Sequence, residues 1–436
     1  MIFIYTLALW LLLPYIFLRL IWRARKQPEY LRHIGERFGF YSIKGDKPIL
    51  WLHAVSVGET RATQSLVTRL RASYPDHQIL LTHTTPTGRT ASEQLYGDSV
   101  LRVYLPYDYP FAVNRFLRRF RPQLGILMET EIWFNLIHAC HMTGTPLLLL
   151  NARMSEKSAR GYTRFARLTR NALNNLSAVA AQTADDATRL ASLGAKNVSV
   201  MGNLKFDIEP PRAMLVLGQQ LREQFGMTRK VFLAASTREG EEVLLLDALQ
   251  NIHIPGLLLV IVPRHPQRFA AVVNLLEQRG ISFQRRSEMG HAGKPHDGGS
   301  QNRAVPPEIQ VVLGDSMGEM FAYYAAADLA FIGGSLLPYG GQNLIEACAV
   351  GTPVLVGPHM YNFAEATRLA VSAGAAIQVP DTAGLVTEAQ RLFQDTSTLH
   401  DMRQQCAEFV DSNQGTTEKS LQLVKQHLVN STQIIH

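Results

Sequence analysis

Twice along this chain a short apolar run ends in a polar or glycine-rich turn and passes into an amphipathic helix, again and again. The first series of runs is Ile49–Ala54, Ile79–Thr82, Val100–Leu105, Leu124–Met128, Leu147–Leu150, Val179–Ala181 and Val198–Met201. The second is Val231–Ala234, Leu257–Val262, Gln310–Leu313, Leu329–Ile332 and Pro353–Val356. Runs without polar alternation belong to strands buried on both faces, and strand–helix alternation of this kind builds parallel sheets covered by helices. At 436 residues the chain exceeds one ordinary core, so two α/β domains are expected. Gly202–Arg212 carries paired prolines and no periodicity, which marks the junction. In such sheets ligands bind beyond the carboxyl ends of the strands. Those ends hold the polar clusters Ser56–Glu59, Glu129–Glu131 and Asn151–Arg153. The linear helix pattern after the first cluster predicts one helix over Thr60–Ser73, with Leu66, Val67 and Leu70 inward.

Residues 1–18 carry no charge, and Leu20–Trp22 extend the apolar run past Arg19. Arg19, Arg23, Arg25, Lys26, Arg32 and Arg37 follow, against Glu29 and Glu36. A cleaved signal peptide puts its positive charge first, so this order reads as an uncleaved anchor, spanning the bilayer or lying in it. The basic flank suits an anionic membrane surface and leaves the rest of the chain cytoplasmic. The net charge of +7 is partly this local cluster, and no nucleic-acid motif is present. Cys140, Cys348 and Cys406 are far apart, which argues against a disulfide framework or a thiolate zinc site. The stretch Arg285–Glu308, rich in Gly, His, Pro and Ser, reads as a surface excursion in which His291 and His296 are solvated.

Candidate chemistry sits at the strand ends. Phe331–His359 holds two glycine pairs, Gly333-Gly334 and Gly340-Gly341, before a short helix over Gln342–Val350. Glycine turns there allow close backbone approach and aim N–H groups at an anion, while Glu346, on the face of Asn343, suits sugar hydroxyls. Glu59, in a strand-to-helix turn, is either a general base or a first-turn glutamate that serves the helix. Glu129 and Glu131 share one side of the strand if it continues and separate if it turns. Arg264 and His265, bracketed by prolines, form a candidate anion clamp, although a lone His is commonly a core residue. Lys205 is either solvated or in reach of a leaving phosphate. No Walker loop, HExxH, nucleophile elbow or DxD pair appears, so no metal site is expected.

Ordered blocks over nearly the whole chain make the sequence resemble the Kdo (3-deoxy-D-manno-oct-2-ulosonic acid) transferases of lipopolysaccharide synthesis. They include ERFGFY (Glu36–Tyr41), HAVSVGET (His53–Thr60), LTHTTPTG (Leu81–Gly88), METEIW (Met128–Trp133), GNLKFD (Gly202–Asp207), VPRHPQRF (Val262–Phe269), GDSMGEM (Gly314–Met320) and GGSLLPYGGQNLIEA (Gly333–Ala347). The resemblance implies a GT-B α/β fold, two Rossmann-like parallel-sheet domains with a cleft between them, plus the N-terminal membrane-anchoring helix. The division expected is an anchor over 1–22, an acceptor domain over 23–205, a linker over 206–218, a donor domain over 219–415 and a C-terminal helix over 416–436 that packs back on the first domain. It implies an inverting glycosyltransferase that moves Kdo from CMP-Kdo to a lipid A precursor (lipid IVA) at the cytoplasmic face of the inner membrane, with no cofactor and no metal. By the same resemblance Glu59 is the general base, and Glu129 and Lys205 stabilise the transition state. Arg264, His265, Met317, Gly318, Glu319, Asn343, Leu344, Ile345 and Glu346 bind CMP. Gln342 and Leu344 depart from a family pattern of His and Pro, and Phe134 stands where Pro often follows the METE block. On the residues alone, a UDP-sugar transferase or epimerase and a silent membrane-anchored binding protein stay open.

Overall fold

The structure, a computed structural model, describes residues 1–249, 254–289 and 304–433. It divides into two compact units, Met1–Asp207 with Asn413–His436, and Ile208–Ser412. The first unit is built on strands β1 (Ile49–His53), β2 (Gln78–His83), β3 (Leu101–Tyr104), β4 (Leu124–Met128), β5 (Leu147–Ala152), β6 (Ala178–Ala181) and β7 (Val198–Val200). Their spatial order is β3-β2-β1-β4-β5-β6-β7, and every pairing is parallel. Side-chain alternation feeds two cores, one on each face. Trp51, Leu80, Leu127 and Leu149 pack on one side, and Leu50, Leu52, Leu81, Ile126 and Leu148 on the other. Each such burial is worth roughly 1.5–3 kcal/mol, so the strands' apolar runs set the sheet. Gly125 makes room for Trp51, since a Cβ there would lie 2.6 Å from the indole. The chain crosses from one half of the sheet to the other between β1 and β4, and this reversal opens a crevice at their carboxyl ends.

The helix Thr416–Gln433 belongs to this unit. Val424 and Leu428 join its second core, and the Asp207 carboxylate accepts from the Gly415 N–H at 2.8 Å.

The N-terminal helix, Ile2–Lys26, docks one side on the unit. The Tyr5 hydroxyl donates to Asp108 at 2.9 Å, Thr6 to Asn135 at 3.1 Å, and Tyr109 to the Leu9 carbonyl at 2.7 Å. Trp10 packs on Tyr109 and Phe111, Phe17 stacks on Phe38, and Leu20 is buried. Phe3, Leu7, Leu11, Leu18 and Trp22, spaced by fours and one seven, are exposed on the far side. The basic collar loses one member: Arg37 is 3% exposed, lies over the Tyr104 ring and donates to the Thr84 carbonyl.

The second unit holds β8 (Val231–Thr237), β9 (Leu258–Pro263), β10 (Phe283–Arg285), β11 (Val311–Leu313), β12 (Leu329–Ile332), β13 (Val354–Val356) and β14 (Ala376–Gln378). Their order is β10-β11-β9-β8-β12-β13-β14, again all parallel, with the reversal between β8 and β12.

Four expectations change. The helix expected over Thr60–Ser73 is two helices, Val57–Ala62 and Gln64–Ser73, broken at Thr63. The linker expected over 206–218 turns helical at Arg212, in the helix Arg212–Phe225. The helix expected over Gln342–Val350 shrinks to Ile345–Cys348. The excursion expected from Arg285 begins instead with β10 and a 3-10 turn, Arg286–Glu288, in which Arg286 is 2% exposed. His291 and His296 lie outside the described residues.

Candidate active site

Past β1 the chain turns into the helix Val57–Ala62, and Ser56 caps it by accepting from the Glu59 N–H. Glu59 answers with its side chain: Oε1 accepts from the Ser56 hydroxyl at 3.0 Å and Oε2 from the Val55 N–H at 2.8 Å. Serine followed three residues later by glutamate is a capping-box pattern, so local sequence fixes this carboxylate at the strand mouth. Burial pushes its pKa up to about 7, overriding the Val55 and Ser56 hydrogen bonds, and the charges of Glu129 and Glu131 push the same way. The two readings of Glu59 are therefore compatible. It serves the helix start, and its proton affinity lies where a general base works best.

β4 ends at Met128, and Glu129 just past it adopts a left-handed φ of 58°. For a residue with a side chain this backbone is strained, and such strain gathers at functional sites. Past this turn the two carboxylates have different partners. Glu129 Oε1 lies 3.8 Å from Lys205 Nζ. Glu131 accepts from the Trp133 indole at 2.6 Å and lies 3.9 Å from Nε2 of His53. His53 Nδ1 donates to the Thr82 carbonyl at 3.0 Å, and burial lowers its pKa to about 3, so the ring is neutral and no ion pair forms. Burial raises the Glu131 carboxyl too.

Lys205 is held in place. The chain around it forms a 3-10 turn, Leu204–Phe206, with Leu204 and Phe206 buried. Asn203 Oδ1 accepts from the Lys205 N–H at 3.0 Å, and Asn151 Oδ1 from the Leu204 N–H at 3.0 Å. Asn151 is itself left-handed, φ 53°, at a register shift in β5. A bulge of this kind re-aims a side chain, and here it reaches over to hold the turn that carries Lys205.

In the second unit Arg264 follows β9. Its N–H donates to the Thr237 carbonyl at 3.0 Å, and its Nε donates to Gln342 Oε1 at 3.1 Å. Gln342, the departure from the family pattern, thus orients this guanidinium. His265 Nε2 accepts from Arg238 Nη1 at 3.0 Å. Its pKa is lowered by burial and by the Arg238 and Arg264 charges. His265 is therefore a neutral acceptor that aims Arg238, whose guanidinium also lies over the Tyr339 ring. The cationic pair at this strand end is Arg264 with Arg238, a residue that the sequence reading passed over.

Met317 is exposed and Gly318 is left-handed, φ 84°. Glu319 beside them is clasped by Arg286, Nε to Oε2 at 3.1 Å and Nη2 to Oε1 at 3.2 Å, and by the Ser316 hydroxyl. Asn343 donates to Glu346 Oε1 at 3.1 Å. Leu344 and Ile345, expected to bind CMP, are fully buried in the core, and the Ile345 N–H donates to Asn343 Oδ1 at 3.2 Å, so neither offers a surface to a ligand. The glycine turn also differs from expectation. The Gly334 and Leu336 N–H groups, expected to face an external anion, donate to Glu241 at 2.6 and 3.1 Å.

Residues 32–208 match the family model described as 3-deoxy-D-manno-octulosonic-acid transferase (kdotransferase). The 3-deoxy-D-manno-octulosonic acid transferase of Bordetella pertussis is 40% identical over 440 residues, covering 98% of this chain and 99% of that protein. The transferase of the same name from Haemophilus influenzae is 35% identical over 433 residues, covering 98% of each. The chain belongs to the Kdo transferase family. As a Kdo transferase it is a glycosyltransferase of lipopolysaccharide biosynthesis. Its GT-B fold is shared with a glycosyltransferase from Rickettsia africae (TM-score 0.56, 13% identity, 88% of this chain and 99% of that one). It is shared too with MurG of Acinetobacter baumannii (TM-score 0.54, 14% identity, 87% and 99%).

In this Kdo transferase the strand-end residues fall into two sets, one in each unit. Glu59, Glu129 and Lys205 lie in the first, around the β1/β4 reversal. Arg264, His265, Met317–Glu319 and Asn343–Glu346 lie in the second. Among the described residues no group of three or more His, Cys, Asp or Glu side chains is arranged to hold a metal ion.

Proposed function

We propose that this transferase moves Kdo from CMP-Kdo to a lipid A precursor, lipid IVA, with inversion at the anomeric carbon. The observation that carries the reading is Glu59, a half-buried carboxylate with its pKa pushed up to about 7 beside the β1/β4 reversal. Glu59 takes the proton from the acceptor's primary hydroxyl as that oxygen attacks the anomeric carbon. The new C–O bond forms as the bond to the CMP phosphate oxygen breaks, and the electron pair leaves with CMP. Arg264, oriented by Gln342, neutralises the leaving phosphate, with Arg238 beside it. Lys205, steadied by Glu129, offers a cation to the charge that develops in the transition state. Met317-Gly318, Asn343 and Glu346 hold the nucleotide, with Glu346 accepting from ribose hydroxyls.

The N-terminal helix supports action at a membrane. The 24-residue stretch Ile2–Arg25 is long and apolar enough to permit a span, but its docked side favours a helix lying in the interface with Phe3, Leu7, Leu11 and Leu18 in the acyl boundary. Arg19, Arg23, Arg25 and Arg32 are exposed and suit an anionic surface, here the cytoplasmic leaflet of the inner membrane. Incubation with CMP-Kdo and a lipid A precursor, with products read by mass, tests the reading. A mass increase of one or more Kdo units is expected. Stabilisation of the protein by UDP and not by CMP, with no Kdo added, would overturn it.

A further inference from the structure

The helix Glu241–Leu249 opens with two adjacent carboxylates, both 0% exposed. Burial of that kind is costly unless each oxygen is hydrogen-bonded. Here the partners come from three separate strand ends. Glu241 accepts from the N–H of Arg238, just past β8, at 2.9 Å. It accepts from Gly334 and Leu336, past β12, at 2.6 and 3.1 Å. Glu242 accepts from the Thr237 hydroxyl at the end of β8 at 3.0 Å and from Arg268, past β9, at 3.1 Å.

These are the loops that carry Arg238, Arg264, His265 and Gln342. The turn geometry adds to the case. Gly334 is left-handed, φ 70°, and a Cβ at Gly333 would lie 2.5 Å from the Ser236 carbonyl oxygen, so the β12 turn is pressed against the end of β8. Ser236 is left-handed as well, at the register shift of β8. A glycine turn whose N–H groups would otherwise need an external acceptor is instead closed on an internal carboxyl group.

Resting on the donor-site reading above, we propose that Glu241 is a positioning residue. Its buried carboxylate, seconded by Glu242, locks the β8 and β12 turns together and so sets Gln342 and Arg238, and through Gln342 the Arg264 guanidinium, for a nucleoside monophosphate. The phosphate is then met by arginine side chains and not by the glycine-turn N–H groups. Glu241 touches no ligand itself.

The test is CMP affinity by calorimetry on the full chain, in a double-mutant cycle. In E241Q one oxygen acceptor is replaced by an amide that faces N–H donors, and CMP binding is expected to weaken at least tenfold. In the R264A background the same change is expected to weaken it by a clearly smaller factor, because one of the two guanidinium groups it positions is gone. G334A gives a second route that leaves the carboxylate in place. Its Cβ would come within 3.2 Å of Gln342 Nε2 and 3.3 Å of the Arg238 side chain, and at least a fivefold loss is expected. CMP affinity within twofold of wild type in folded E241Q or G334A overturns the proposal, as does an equal loss with and without Arg264. A wild-type chain that binds no CMP overturns instead the donor-site reading on which the proposal stands.

Discussion

The two sheets of this transferase put carboxylates at matching places and surround them differently. In the first unit Glu59 and Glu131 have few partners for their burial, and both hold their protons more tightly than an ordinary glutamate. In the second unit the acids are occupied. Glu241 is filled by backbone N–H groups, although burial still raises its carboxyl, Glu242 by Thr237 and Arg268, Glu319 by Arg286 and Ser316, and Asp315 by Arg285 and Ser287. A carboxylate that is incompletely satisfied can trade a proton near neutrality. One that is fully satisfied and fully enclosed, as Glu241 and Glu242 are, meets no substrate and holds structure in place. Under the proposed function, proton transfer falls to the first unit and nucleotide binding to the second, from the same fold.

The sharpest way to break that division is Glu59→Ala. Loss of a general base removes about 10²–10⁴-fold of rate. Transfer should fall by that much while CMP affinity by calorimetry stays at the wild-type value. A large loss of CMP binding in this variant would erase the distinction between the units. Arg264→Ala should do the reverse. Removing a charge-assisted contact worth roughly 1.5–3 kcal/mol should weaken CMP by about 10- to 100-fold, and unchanged affinity would take Arg264 out of the phosphate site. The smallest expected effect is at Glu346. Its loss should reduce discrimination between CMP and deoxy-CMP by about fivefold, from roughly 1 kcal/mol for one hydrogen bond, and unchanged discrimination would remove its ribose role.

Much of the architecture was legible because buried parallel strands read as unbroken apolar runs. Ile49–His53 and Leu258–Pro263 are buried end to end, and their boundaries can be drawn by eye. Glu59 was legible as well, since it follows a strand and closes a Ser-x-x-Glu pattern. The supports of the site were not. Nothing in the local sequence says that Glu129, Asn151 and Ser236 adopt left-handed backbone, because tertiary packing imposes that strain at strand ends. Arg286 adjoins a Gly-, His- and Ser-rich stretch, and its composition gave no sign of a buried partner for Glu319. Glu241 looks like any acidic residue in a helix's first turn. Its meaning lies in Gly334 and Leu336, more than ninety residues on, and only the sheet order brings them together.

The pH dependence of kcat/KM for Kdo transfer tests the division most directly. Glu59 works as a base only when ionised, and its pKa is raised above the usual carboxylate range, so activity should be low at pH 5 and rise through a midpoint near 7. Glu129 is one of the charges that raise it, so Glu129→Gln should move that midpoint down. Arg264→Ala should lower activity and leave the midpoint in place. A profile flat from pH 5 to 9, or a midpoint that moves with Arg264→Ala and not with Glu129→Gln, would contradict the assignment of proton transfer to the first unit.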